Sequence, residues 1–292
     1  MFFESLKMYL HLSSEQKEFI RNGGIKAEMS IAKWVKLLEP ICHYDDTADP
    51  VRERILDLMI TSFIIFFLTI FFITFISKTI ETTSGLVFVS ISLTIAISLL
   101  FLHRLFKNID VNNNVREVIF PLLQMLALEC GHQKKVQLTI NFNKKLTEDN
   151  LSERIVDRNI KTEFYTYEVL QANCMLVDNT KFSLKVIDVI RQRKVKKRTS
   201  RGKLKYTIKY KLKRRITMVM GFNKQSYYVN TDKVGQENIF KESENKITYK
   251  QVIKQSVEGQ TALIDIEALL EKAHVLYSYL MVKETVNKTD DE

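Results

Sequence analysis

The sequence predicts a membrane protein that combines an α-helical hairpin of two spans with a cytoplasmic α+β domain, in which an antiparallel meander precedes a C-terminal amphipathic helix. Three features of the 292 residues lead to this fold class: two uncharged apolar blocks, several strand-like segments and one dense run of cations. We divide the chain into N-terminal cytoplasmic helices (1–54), a transmembrane hairpin (55–103), a cytoplasmic basic α+β domain (104–283) and a disordered acidic tail (284–292).

The first 54 residues are typical of short amphipathic helices. A capping box at Ser13 begins one helix, which Gly23 ends in a left-handed conformation. A second helix is expected to begin after Ser30 and to stop at Pro40, and the acidic run 44–49 then forms a loop. This segment has two interpretations, packing on the soluble domain or lying on the bilayer with its tryptophan as an anchor. Its excess of acids over bases favours packing, because anionic lipid would repel it.

Two apolar blocks are long enough to cross a bilayer, at about residues 55–77 and 85–102. The stretch from Leu58 to Ile76 contains no charged residue, and roughly 20 such residues span a hydrocarbon core of ~30 Å. A buried helix of a soluble protein rarely has this length without a charge. A signal peptide would begin near the first residue, whereas the first block begins after more than fifty residues. We therefore predict two transmembrane helices.

The orientation of the spans follows from their flanking charges. The connection 78–84 is short enough to be only a turn, so both termini lie on one side of the membrane. Arg52 and Arg54 precede the first span, Arg104 and Lys107 follow the second, and a basic domain lies beyond. The positive-inside rule then predicts a multi-pass protein of the bacterial inner (plasma) membrane with both termini cytoplasmic.

The second span carries a stripe of small polar residues, Ser90, Thr94 and Ser98, which we call the polar stripe. Small residues at this spacing let helices approach closely, so the stripe predicts a packing face against the first span or against a sister subunit. The alternative is that it lines a narrow aqueous route in an oligomer. No charged residue within the membrane marks an ion site, since Asp57 lies only at the cytoplasmic edge of the first span.

The region after the spans changes from helical to strand-like patterns. Residues 115–128 favour a helix interrupted at Pro121, and residues 136–142 alternate between apolar and polar. Further strands are predicted at about 162–177, 181–195, 204–222 and 227–230. Near the end, apolar residues at spacings of three and four predict an amphipathic helix that docks on its own sheet or forms a seam between subunits: Leu263, Ile266, Leu270, Ala273, Tyr277 and Leu280.

The segment Arg191 to Arg215, which we call the basic hairpin, holds fourteen cations and no acid. Subtracting fourteen from the net charge of +10 leaves −4 for the other residues, so the positive charge is local. Two strands joined around 199–202 would present one core face, which includes Tyr206 and Tyr210, and one lysine face.

We predict polyanion binding by the basic hairpin, through Arg198, Arg201, Lys203, Lys205, Lys209, Lys211 and Lys213. Because the tyrosines point into the core, we expect the hairpin to attract phosphates or lipid headgroups without stacking on bases. The alternative is a solvated edge strand, on which lysine prevents aggregation. One or two lysines would suffice for that purpose.

The sequence contains no nucleotide-binding loop, metal-ligand cluster or nucleophile elbow with usable spacing. Cys42 and Cys130 each lie near a histidine in sequence, but adjacency does not supply an oriented base. Together with Cys174 they are expected to be reduced packing residues. We predict no enzyme activity, no catalytic residues, no cofactor and no metal.

This layout resembles the two-transmembrane effectors of bacterial antiphage defence systems, including those associated with retrons. The resemblance covers layout: two adjacent spans, a short outer turn and one basic cytoplasmic domain. It implies a dormant toxin of the inner membrane that RNA, DNA or a protein partner holds, and that oligomerises and permeabilises the bilayer once released. The alternative is a non-toxic membrane scaffold whose basic hairpin docks to anionic lipid or an acidic protein.

Overall fold

The computed structural model describes residues 2–75, 82–142, 146–198, 202–229, 240–257, 263–265, 271 and 279–282. The chain divides into two compact units. The first, which we call the helical unit, comprises Met1–Asn22 and Leu37–Asn112. The second, which we call the sheet unit, comprises Gly23–Lys36 and Asn113–Glu292.

Four helices occupy the first part of the chain: α1 (Phe2–His11), α2 (Ser14–Asn22), α3 (Ile31–Phe75) and α4 (Thr82–Asn108). The capping box that begins α2 is confirmed. The Ser13 amide donates to Gln16 Oε1 at 2.8 Å, and the Gln16 amide donates to Ser13 Oγ at 3.2 Å. Gly23 has φ +59°, as predicted for the left-handed end of this helix.

Helix α3 runs through both of its prolines, which corrects two predictions. Pro40 does not stop the helix, and the acidic run is helical rather than a loop. Each internal proline removes a backbone hydrogen bond at a cost of about 3 kcal/mol. Burial along the helix offsets this cost, since Ile41, Tyr44 and Ala48 are all fully buried. The 45 residues of α3 extend about 68 Å at ~1.5 Å per residue.

Parts of α3 and α4 are long and apolar enough to cross a membrane. They lie in Ile31–Ile73 and Val87–Asn108, each of which contains an apolar window of 18 residues, with mean hydropathy values of 2.5 and 1.9. Only 6% of each apolar window is buried, whereas a core helix of a soluble protein is mostly buried. At one end of the pair, Val51 and Ile55 form a buried cluster with Phe106.

The sheet unit contains an eight-stranded sheet in its described part, with order β1-β2-β4-β5-β6-β9-β8 and β3 on β4. All its pairings are antiparallel. Its strands are β1 (Gly24–Ser30), β2 (Lys135–Asn141), β3 (Leu151–Asp157), β4 (Ile160–Met175), β5 (Lys181–Arg198), β6 (Leu204–Asn223), β8 (Phe240–Glu242) and β9 (Lys246–Val257). β7 (Tyr227–Val229) pairs separately with β10 (Leu280–Val282).

The predicted antiparallel meander is confirmed in β2, β4, β5 and β6, and β7 also forms. The prediction of helices throughout 1–54 is wrong at β1, which pairs along its whole length with β2. Trp34, just after β1, is fully buried and donates from Nε1 to the Val136 carbonyl at 3.0 Å. This contact agrees with packing on the soluble domain rather than anchoring on a bilayer surface.

A π-helical turn (Val115–Ile119) and α5 (Phe120–Cys130) occupy the predicted helix at 115–128. Pro121 lies in the first turn of α5, where a proline is tolerated, so it does not interrupt that helix. α5 buries Leu122, Leu123 and Leu126. These side chains belong to the apolar core of the sheet unit, together with the buried face of the sheet.

The predicted C-terminal amphipathic helix agrees with the described residues only in part, because Glu271 and Tyr279 are helical but the two end residues are not. Leu263 is exposed outside any helix or strand, and Leu280 lies in β10, where it pairs with Val229. Ile266, Leu270, Ala273 and Tyr277 lie outside the described residues, as does the tail 284–292.

Candidate polyanion interface and polar stripe

β5 and β6 pair without a register shift from Lys181–Gly221 to Arg198–Leu204. Side chains of directly paired residues lie on the same face, so the register assigns each residue to a face. We call the face that carries the buried Leu184 and Met218 the inner face, and the opposite face the outer face. β9 ends at Val257, opposite Leu212. We call β5 and β6 beyond this point the ribbon, and β4 stays paired with β5 along part of it, as far as Ile160–Val195.

The outer face of the ribbon places like charges directly opposite one another. The register pairs Arg191 with Lys211, Arg193 with Lys209 and Lys197 with Lys205. Like charges at directly opposed positions destabilise a sheet. Among the described residues, none of these six cations has a carboxylate within ion-pair distance. The free protein therefore keeps an unfavourable arrangement that a bound polyanion would relieve.

The seven predicted polyanion-binding residues do not all lie on one face. Four exposed lysines of β6 lie on the outer face: Lys205, Lys209, Lys211 and Lys213. Arg198 pairs with Leu204, which puts its side chain on the inner-face side, and Lys203 is exposed just before β6. Arg201 lies outside the described residues. Sequence reasoning left Arg191 and Arg193 out of this set, although their alternation along β5 could have placed them on the lysine face.

The prediction that the tyrosines of the basic hairpin point into the core is wrong. Along β6 the buried part of the inner face ends at Leu212, which is 7% exposed, whereas Tyr206 is 64% exposed and Tyr210 is 52% exposed. Tyr206 pairs with Lys196, so aromatic and cationic side chains share the face. The argument against base stacking therefore no longer holds.

Arg214, one of the fourteen cations, is a structural residue. It is 3% exposed and bridges to the buried Asp188 through Nε–Oδ1 at 2.7 Å and Nη2–Oδ2 at 2.9 Å. Tyr167 donates to Asp188 Oδ2 at 3.2 Å. Burial, reinforced by the adjacent Asp188 carboxylate, raises the pKa of Tyr167. These contacts tie β4, β5 and β6 together at the base of the ribbon.

Glu163 on β4 is 2% exposed and is surrounded by cations. Its carboxylate lies 2.8 Å from Lys161 Nζ, 3.0 Å from Arg154 Nε and 3.4 Å from Lys194 Nζ. The hydrogen bond from Lys161, with help from Arg154 and against the effect of burial, lowers the pKa of Glu163 to about 2. Glu163 pairs with Gln192, so its carboxylate lies on the inner face and does not neutralise the outer face.

The cationic surface continues beyond the basic hairpin. Lys254 of β9 pairs with Arg215 of β6, and Lys250 lies on the same outer face because it pairs with Val219. On β5 of this face, Lys185 contacts Glu168 at 2.5 Å. Sequence reasoning missed β9, although Lys246, Lys250 and Lys254 at even spacing carry a period-two signal that could have revealed it.

The polar stripe does not lie on the face that α4 buries. Ala96 is fully buried, and Val89, Ser92 and Leu99 are half-buried at helical spacing on the same side. Ser90, Thr94 and Ser98 are exposed instead. Thr94 Oγ1 donates to the Ser90 carbonyl and Ser98 Oγ to the Thr94 carbonyl, both at 2.8 Å. Packing of the stripe against the first span is therefore wrong, while contact with a sister subunit and the lining of a route stay predictions.

An acidic cluster in the helical unit serves as the counter-charge of one arginine. Oxygens of Asp45, Asp49 and Asp110 lie within 4.8 Å of one another. Arg52 forms ion pairs with all three, with Nη2–Oδ1 at 2.9 Å for Asp45. Burial raises the pKa of Asp110. The cluster therefore joins the end of α4 to the middle of α3.

The cysteine thiols of the sheet unit do not have the properties of nucleophiles. Burial raises the pKa of Cys130, and burial together with the neighbouring Cys130 raises that of Cys174 to about 12. A catalytic thiol needs the opposite shift, because the thiolate is the reactive form. Cys42 is also buried.

Comparisons with protein-family models, with curated proteins and with solved structures found no match for this chain.

Proposed function

We propose that this protein is a membrane effector without catalytic activity, anchored in a bacterial inner membrane by α3 and α4 and controlled by a nucleic acid on the basic hairpin. While the partner is bound the protein is dormant. When the nucleic acid, or a protein that carries it, is released, the subunits oligomerise and permeabilise the bilayer, as in antiphage abortive infection.

The observation that carries the proposal is the set of three directly opposed cation pairs that β5 and β6 place on the outer face of the ribbon. A protein that only needed an edge strand protected from aggregation would manage with one or two lysines. Three opposed pairs reduce the stability of the free sheet, and a row of phosphates would neutralise them. At about 3.3 Å per strand residue, these pairs extend along about 20 Å of the ribbon.

Exposed aromatic side chains favour a single-stranded nucleic acid over other polyanions. Tyr206 and Tyr210 are exposed on the face that also carries Lys194 and Lys196. Bases stack on such rings at about 1–3 kcal/mol each, while the nearby cations hold the phosphates. An acidic protein or a lipid headgroup would make no comparable use of an aromatic row beside cations.

The helical unit supports the membrane part of the proposal. Only 6% of the apolar window in each segment is buried in a single chain, as expected for side chains that face lipid tails. The exposed polar stripe leaves three small residues on the outside of the helical hairpin, where a second subunit could approach closely. Oligomerisation through this stripe would give the effector a means of disturbing the bilayer.

The test is expression in bacteria with a membrane-potential dye as the readout. We expect strong expression without partners to depolarise the cells, and we expect glutamine at Lys203, Lys205, Lys209, Lys211 and Lys213 to change partner control. The matched control replaces the same number of exposed lysines elsewhere: Lys7, Lys33, Lys36, Lys134 and Lys135. An intact membrane potential under strong expression, with or without a trigger, would count against the effector role.

The second candidate is a non-toxic scaffold whose basic hairpin docks to anionic lipid. Leu204 and Ile208 favour it, because they are about half exposed next to cations, as in a segment that enters the headgroup region. Salt-dependent binding to anionic liposomes with no binding to RNA or DNA would establish this scaffold role instead. Binding to an acidic protein alone would do so as well.

A further inference from the structure

An open groove of about 450 Å³ lies on the outer face of the sheet, where β9 ends beside the ribbon. Four cations line it: Arg191 and Arg193 from β5, and Lys209 and Lys211 from β6. Ser256 and Val257, the last residues of β9, form part of its wall, and Tyr210 also lines it. A volume of this size falls within the range of about 300–1,000 Å³ that small-ligand sites occupy.

The sheet register fixes how the four cations are arranged. Arg191 is directly opposite Lys211, and Arg193 is directly opposite Lys209. Opposed Cβ atoms lie about 5 Å apart, and alternate residues along a strand lie about 7 Å apart. The four side chains therefore begin at the corners of a small rectangle on one face. Among the described residues, no acidic side chain lines this groove.

The end of β9 adds polar groups to the site. The last pairing of β9 joins Val257 to Leu212. In the described part of the chain, β6 has no strand neighbour on this side from Lys211 to Leu204, so backbone amides along its edge face the open space. The Ser256 hydroxyl adds a further donor to the wall.

We infer that this groove is a binding site for a chain of two or three linked phosphate groups. A phosphodiester carries one negative charge, whereas a terminal phosphate carries close to two and a triphosphate on the order of four. Only linked phosphates bring that much charge into a volume shared by four cations. The two arginines bind phosphate oxygens bidentately and the lysines act as point charges.

This inference rests on the proposed polyanion binding and names the group that the basic hairpin recognises at one place. The linked phosphates have two sources with the same chemistry, a free nucleotide or the triphosphorylated 5′ end of an RNA strand. In the second case the strand would continue along the cations of the ribbon.

Two double variants of the full-length protein in neutral-lipid nanodiscs separate this site from diffuse attraction. Arg193→Gln with Lys209→Gln removes one opposed pair inside the groove. Lys197→Gln with Lys205→Gln removes an opposed pair on the same face of the same two strands, four residues further along and outside it. Both variants lose two exposed charges, and thermal melting checks that both remain folded.

The probes are tripolyphosphate, ATP, and a 12-nucleotide RNA with either a 5′-triphosphate or a 5′-hydroxyl, measured by calorimetry at 0.15 M salt. We expect the groove variant to lose about tenfold or more in tripolyphosphate affinity, and the outer variant less than about threefold, because charge-assisted hydrogen bonds act over short distances. Preference for ATP identifies a free nucleotide as the source, and preference for the triphosphorylated RNA identifies a strand end.

Equal losses of affinity in the two variants would contradict phosphate binding in the groove while leaving polyanion binding intact. Equal affinity of the two RNAs, together with no binding of tripolyphosphate and ATP, would have the same consequence. Failure of all four probes to bind would overturn both the groove and the proposed function.

Discussion

The opposed cation pairs predict that the free protein becomes more stable when they are broken. The perturbation is the triple substitution Lys205→Glu, Lys209→Glu and Lys211→Glu, which puts a carboxylate opposite Lys197, Arg193 and Arg191. At a head-group separation of about 7 Å in water, each like-charge pair costs about 0.6 kcal/mol before screening. Reversing one charge converts this repulsion to an equal attraction, a change of about 1.2 kcal/mol per pair.

Salt reduces this gain to a predictable size. With a Debye length of about 8 Å at 0.15 M salt, the three pairs together contribute about 1.5 kcal/mol, and about 0.4 kcal/mol remains at 1 M, where the length is about 3 Å. Measured cross-strand pairs of about 0.2–1 kcal/mol each agree with the lower-salt value. The triple variant should therefore be more stable at low salt and nearly equal to the wild type at high salt.

Urea unfolding of the full chain in detergent measures the effect. The fluorescence of Trp34, the only tryptophan, reports on the sheet unit because this side chain is fully buried there. A matched variant with Glu at Lys203, Lys213 and Lys250, none of them directly opposite another cation in the described register, should gain less than half as much. A triple variant no more stable than the wild type at low salt, or a gain that salt leaves unchanged, would refute the repulsion argument.

Three further predictions concern the base and the inner face of the basic hairpin. Arg214→Leu should lower the free energy of urea unfolding by about 3–5 kcal/mol, because Asp188 stays buried without its charged partner. Removing both charges should cost less stability, and equal costs would contradict the ion-pair account. The stability that Glu163 provides should be complete above about pH 4.5 and be lost as the pH falls towards 2. Glu163→Gln should therefore make the urea midpoint depend less on pH over that range, and an unchanged pH profile would refute this role. Tyr206→Ala and Tyr210→Ala should each weaken single-stranded RNA binding by about 1–3 kcal/mol with the salt dependence unchanged, whereas unaltered affinity would exclude stacking.

The strands of the basic hairpin could be predicted because each carries a strict period-two alternation over many residues. The exposure of its tyrosines could not be predicted. An alternating strand has two faces, but how far along the strand a face is covered depends on tertiary packing, and on β6 the buried inner face ends at Leu212, before Tyr210 and Tyr206. The end of β9 at Val257 borders the groove, so its four cations become a group only in the folded sheet.

The helical unit shows a similar division. The two apolar segments could be predicted from composition, because each contains a long run of apolar residues. Sequence reasoning stopped a helix at Pro40 because the local cost of proline is large, while the buried contacts of α3 that offset it are tertiary. The direction of the polar stripe also depends on packing. Both sides of α4 carry small residues, and only the burial of Ala96 shows which side is covered.

Binding of a fluorescent single-stranded RNA to the full-length protein in neutral-lipid nanodiscs, measured across about 50–300 mM salt, tests the central claim most directly. If the outer face neutralises about five to seven phosphates, the logarithm of affinity should fall against the logarithm of salt concentration with a slope of about −3.5 to −5. Glutamine at Lys205, Lys209, Lys211 and Lys213 should make that slope shallower by nearly 3. A slope near zero, or one that these four substitutions leave unchanged, would contradict the role of the basic hairpin as the site of nucleic-acid binding.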